Sequence, residues 1–97
     1  MFSSWLWQGE KPLSADGLRA WLQALPSDVF RVKGLVRLAQ GNKAHWLQHV
    51  GTRSQFLPAT DEAGARSTRL VFIARRGFDG WEALGEGLEA CSVKETA

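Results

Sequence analysis

The chain has 97 residues, 44% of them hydrophobic and 23% charged, with a formal net charge of +2. That composition belongs to one folded domain with a modest core and argues against disorder. The charge is too small to argue for nucleic acid, and no run of 18 apolar residues is present to span a membrane. One cysteine, Cys91, forms neither an internal disulfide nor half of a CxxC metal pair, which points to a reducing, cytoplasmic setting.

In chain order, "FSSWLWQ" reads as a strand, with Phe2, Ser4 and Leu6 on one face and Ser3, Trp5 and Trp7 on the other. "GEKP" breaks it. A helix follows, with Ser14 as N-cap, Asp16 in the first turn, and Leu18, Trp21, Leu22 and Leu25 forming an apolar stripe that ends at Pro26. Phe30 to Ala39 reads as a strand. Phe30, Val32, Gly34, Val36 and Leu38 fall on one face, and Arg31, Lys33, Leu35 and Arg37 on the other. Gly34 stands in the core-facing register, so a helix, a bulge or another backbone is expected close to it.

Gly41-Asn42 centres a turn, "AHWLQHV" and "RSQFLPA" are further strands joined at "GT", and Thr60 to Ser67 reads as a loop. "TRLVFIAR" is the most apolar strand and is expected to be central and covered on both faces. Asp79 with Glu82 matches a capping box for a last helix, in which Trp81, Leu84, Leu88 and Cys91 form the stripe. Gly85 and Gly87 weaken that helix and permit close packing. The order β-α-β-β-β-β-α predicts a meander with both helices on one face. The fold class is α+β, a two-layer sandwich with a mainly antiparallel sheet of about four to five strands.

The residues themselves show no catalytic constellation. No GxxxxGK[ST] loop joins a strand to a helix, and "RVKG" runs into an apolar strand instead. His45 and His49 have HxxxH spacing, but on a strand four residues separate them by roughly 13 Å, too far for one zinc ion. Cys91 lies on the apolar stripe and is expected to pack in the core. The middle of the chain is basic and its tail acidic, an asymmetry that fits either a partner surface or opposite signs on the outer faces of a strand and a helix. The basic side of Phe30–Ala39 carries no aromatic for base stacking, which argues against nucleic acid as a partner.

The strings "FSSWLWQ", "LQALPSDVFRVKGLVRLA", "HWLQHVG" and "TRLVFIARRGFDGWEALGEGLEACSV", in this order, together cover nearly the whole chain. They resemble the C-terminal domain of the CobW family, the cobalamin-synthesis-type P-loop GTPases proposed to act as metal chaperones or insertases. The most telling run holds Leu25, Pro26, Val29, Arg31, Lys33 and Gly34, supported by Arg69 to Ala74 and by a closing helix ending near Cys91. In that family GTP hydrolysis and the cysteine-rich metal motif belong to the N-terminal domain. This chain has neither a P-loop nor CxCC, nor the histidine-rich tract of some members. No catalytic, cofactor-binding or metal-binding residue is therefore carried over, and no cofactor is expected.

The resemblance implies a non-catalytic accessory domain, spanning residues 1–97, that contacts the GTPase domain of its parent, a metal-receiving client protein or another copy of itself. The abrupt opening at Phe2 predicts a domain cut from a longer GTPase, a stand-alone protein being the alternative. The expected partner surface comprises Arg31, Lys33, Arg37, Trp5 and Trp7. Two other functions stay open: weak metal handling by His45, His49 or Cys91, and a nucleic-acid-binding sheet.

Overall fold

Ser14 caps the first helix as its residue type demands. Its side chain accepts a hydrogen bond from the Gly17 backbone at 3.2 Å, and α1 runs Ala15–Gln23. In this computed structural model, which describes residues 2–40, 43–59 and 67–93, the elements are β1 (Phe2–Gly9), α1, β2 (Val29–Leu38), β3 (Lys43–Val50), β4 (Arg53–Pro58), β5 (Thr68–Arg75) and α2 (Trp81–Ala90). The expected turn at Gly41-Asn42 and most of the loop from Thr60 to Ser67 lie outside the described residues. The "GT" connection is described, with Gly51 at φ 63°, the left-handed conformation a tight hairpin turn requires.

All strand pairs are antiparallel and the order is β1-β5-β2-β3-β4. The fold class is as the sequence predicts, but the sheet is not a simple meander. Strands β2, β3 and β4 meander, and β5 then returns to fill the place between β1 and β2. The space is available because the chain leaves β1 through α1 and does not pair β1 with β2. The connection after β1 is held elsewhere. Leu13 donates to Arg37 at 2.9 Å and accepts from Ala39 at 2.8 Å, while Val93 donates to the Pro12 carbonyl at 2.8 Å.

Both helices lie on one face, over Trp7, Leu70, Phe72, Val32, Val36 and Leu47, all buried. Leu18 and Leu22 of α1 and Leu84 and Leu88 of α2 supply the facing stripes. Helix α2 sits against β1 at Gly85, where an added Cβ would lie 3.3 Å from the Trp5 ring. At Gly87 it meets α1, where a Cβ would lie 2.6 Å from Trp21 Nε1. Both glycines thus allow the close packing expected of them.

Three local expectations are corrected. Strand β5 is interior but covered on one face only, since Arg69, Val71 and Arg75 are exposed. Among the described residues the second layer consists of two helices, both used on the other side. The Asp79–Glu82 capping box does not form: Gly80 is the N-cap and no side chain bonds there. The Phe78 ring packs over Gly80 and edge-on to Trp81, at 4.7 Å between centroids, so apolar packing sets the helix entry. Phe30 does not face the core. The β2–β5 register shifts between Val29 and Arg31, so Val29 is buried instead and Phe30 meets Phe2 edge-on at 5.6 Å.

Candidate interaction surface

The pleat sends alternate residues of every strand to the side away from the helices. Read across the sheet from the paired registers, one row on that side is Gln8, Arg69, Leu35, Trp46 and Leu57. The next is Leu6, Val71, Lys33, Gln48 and Gln55, and a third is Ser4, Ile73, Arg31, Val50 and Arg53. No helix covers these rows among the described residues. Trp46 is 49% exposed, Leu6 48%, Leu57 47% and Val71 43%.

The strands themselves bring charge of one sign to this side, and Arg75 is ion-paired with Asp28 at 3.9 Å. The five strands contain no Asp or Glu, whereas Arg31, Lys33, Arg37, Arg53, Arg69 and Arg75 have the open side's parity and Lys43 that of the covered side. The acidic residues of α2, Glu82, Glu86 and Glu89, are exposed on the helix side. The cations of β2 and β5 and the carboxylates of α2 therefore lie on opposite sides of the sheet. Contiguous exposed apolar surface studded with one sign of charge is characteristic of a protein-binding face.

The residues expected to form a partner surface separate into two groups. Arg31, Lys33 and Arg37 project on the open side. Arg37 is partly tied down, its guanidinium donating to the Glu10 carbonyl at 3.0 Å. Trp5 and Trp7 face the helices. Trp7 is 7% exposed and Trp5 packs on Phe72 and Trp81, each at 5.3 Å between centroids. They are core residues of the α2 contact, because their parity on β1 is that of the covered face. Sequence reading missed Trp46, which β3 delivers directly opposite Leu35 of β2. The face does carry an aromatic, from a strand the single-segment pattern does not include. The usable signal was alternation within "AHWLQHV", which puts Trp46 opposite in parity to Leu47.

Gly34 stands on the covered face, in register between Leu47 and Leu70. Its φ is 154°, and a Cβ there would land on the Arg69 carbonyl oxygen and 3.0 Å from the Leu70 Cα. The expected close approach is therefore to a neighbouring backbone, that of β5.

His45 and His49 lie on the covered face of a strand, not on a helix. His49 is buried, and its Nδ1 is 2.6 Å from Ser54 Oγ. His49 Nε2 and His45 Nδ1 are buried without a hydrogen-bond partner. Burial holds the His49 pKa below its ordinary value, against a smaller raising effect from a backbone hydrogen bond at Gly51. Cys91 packs against the core at the α1–α2 contact, 3.5 Å from where a Gly17 Cβ would stand, and burial pushes its thiol pKa up. A raised pKa disfavours the thiolate that a nucleophile or metal ligand requires. Among the described residues no group of three or more His, Cys, Asp or Glu side chains gathers to hold a metal ion. The shallow depression at the end of β1 mixes Glu10, Lys11, Arg69 and Glu89, with no single-sign character. No helix among the described residues is long and apolar enough to cross a membrane.

These features define a small antiparallel α+β sandwich with one helix-covered and one open face. The chain belongs to the family described as the cobalamin synthesis protein CobW C-terminal domain, whose model matches residues 2–92. Among solved structures it is similar to Zn(II)-bound YjiA GTPase from E. coli, with 17% identity and a TM-score of 0.73. It is likewise similar to a Zn(II)-bound triple mutant of YjiA GTPase, with 14% identity and a TM-score of 0.76. Each match covers 95% of this chain but 30% of the YjiA chain, so the chain spans under a third of those proteins. No curated protein sequence matches it.

Proposed function

We propose that the chain is a non-catalytic accessory domain of a CobW-type, metal-chaperone GTPase. It works in the cytoplasm by holding the GTPase domain of its parent chain or a client protein against its open sheet face. Family membership supports the parent class, and the observation that carries the docking role is the open face itself. That face joins Leu6, Val71, Leu35, Trp46 and Leu57 to Arg31, Lys33 and Arg69 with no carboxylate in any strand. Such a face recognises a protein surface with carboxylates around an apolar centre. Aliphatic side chains dominate it and Trp46 is its one stacking ring away from the margin, which favours protein over single-stranded nucleic acid.

The test is calorimetric titration of the chain with the separately prepared GTPase domain of its parent. Saturable binding that weakens with salt and is lost in the Arg31→Glu/Lys33→Glu double variant supports the reading. Binding untouched by that variant defeats the face assignment. GTP turnover, or saturable micromolar GTP binding, by the isolated chain defeats the non-catalytic assignment.

A further inference from the structure

The sheet has two edges, and they are built differently. Strand β4 has six residues, begins at Arg53 and ends at Pro58. A short strand, a cation and a proline are the usual devices that keep an edge from pairing with another chain. Strand β1 has none of them. Its eight residues, "FSSWLWQG", contain no charge and no proline. They pair with β5 in unbroken register from Phe2–Arg75 to Gly9–Thr68, so no bulge twists the edge away. Among the described residues no strand pairs with the outer side of β1. Every second residue therefore presents a backbone N–H and C=O outward, beside the exposed side chains of Phe2 (70%) and Leu6 (48%).

We propose that β1 is a self-association edge: two copies pair antiparallel through β1 across a two-fold axis perpendicular to the sheet, making one continuous ten-stranded sheet. The occupant is a second copy because the strand is complementary to itself. It carries no charge, so pairing with its own copy sets no like charges side by side. A two-fold centred on Leu6 places Leu6 beside its counterpart on the open face and Trp5 beside the partner copy's Trp7 on the covered face. Both helix layers then stay on one side and both basic faces on the other, so the open faces join into one surface. A contact made by one strand is small, and the association is correspondingly weak.

Sedimentation equilibrium of the chain from about 10 µM to 1 mM, with amide exchange of β1 at both ends of that range, tests the proposal. The expected result is a monomer–dimer equilibrium, with outward-facing β1 amides protected only at high concentration. Leu6→Lys sets two like charges at the two-fold and weakens association at least tenfold, while far-UV circular dichroism stays native. Gln55→Lys, the same charge on the opposite edge strand, leaves association unchanged. A chain that stays monomeric at 1 mM overturns the proposal, as does a dimer that Leu6→Lys leaves intact. Concentration-independent protection of the β1 edge also overturns it, since that edge is then covered from within the chain.

Discussion

Facing α1 and α2, the strands carry Trp7, Leu70, Phe72, Val32 and Leu47, each 7% exposed or less. Facing away, the same strands carry Leu6, Val71, Trp46 and Leu57, each between 43% and 49% exposed. The two sets are alike in hydrophobicity and alternate residue by residue. What separates them is the company they keep. The first set meets the helix stripes of Leu18, Leu22, Leu84 and Leu88. The second is interleaved with Arg31, Lys33 and Arg69. Apolar residue type thus marks both a core and an interface, and the charges between them distinguish the two.

The largest effect expected from breaking this contrast is on the covered face. Phe72→Ala removes a fully buried ring packed on Trp5 and Trp21 and should cost about 3–5 kcal/mol in urea unfolding. Trp46→Ala, a larger deletion on the open face, should cost within about 0.5 kcal/mol. Equal losses from the two would show that the open face is part of the monomer's packing.

Gly34→Ala comes next, at about 3 kcal/mol, because the added methyl collides with the Arg69 backbone carbonyl and the φ is unfavourable for an L-residue. A urea midpoint equal to that of the parent chain would show that β2 and β5 are not so closely apposed.

Smaller still is the effect of acid on the covered face. His49 is neutral where it is buried, and its folded pKa lies below the unfolded value of about 6.5. The unfolded chain takes up the proton first as pH falls. The stability associated with neutral His49 is therefore complete above about pH 6.5 and declines as pH drops from there through the depressed folded value. His49→Leu should flatten that slope in midpoints measured from pH 7.5 to 4.5. An unchanged slope would assign the acid sensitivity to other groups.

The smallest stability change belongs to the open-face charges. Arg31→Glu should shift unfolding by within about 0.5 kcal/mol while weakening binding to the GTPase domain of the parent, read by calorimetry. A large destabilisation would mean that Arg31 serves the fold instead of a partner.

Much of this architecture was legible from local pattern. Ser14 with the Leu18-Trp21-Leu22-Leu25 stripe announced α1, and Trp81-Leu84-Leu88-Cys91 announced α2, because helix periodicity and capping act within a few residues. Parity alone put Arg31, Lys33 and Arg37 on one side of β2, and it flagged Gly34 as a place of close approach. Pattern failed at Phe30, where a bulge reversed the parity, and at Asp79, where the Phe78 ring on Gly80 replaced a polar cap. It also failed for the expected surface. Trp5 and Trp7 share a face, as alternation requires, but alternation does not say which face the helices will take.

The amino-acid order therefore decided the elements, their faces and the family, since each rests on interactions between near neighbours or on whole strings. Strand order, the side the helices cover and the assembly of Leu35, Trp46, Leu57 and Arg69 into one row were decided only when β5 returned between β1 and β2. The physical reason is that a sheet is a non-local object. Its rows join residues from strands far apart in the chain, and a partner-binding face exists only once those rows are formed.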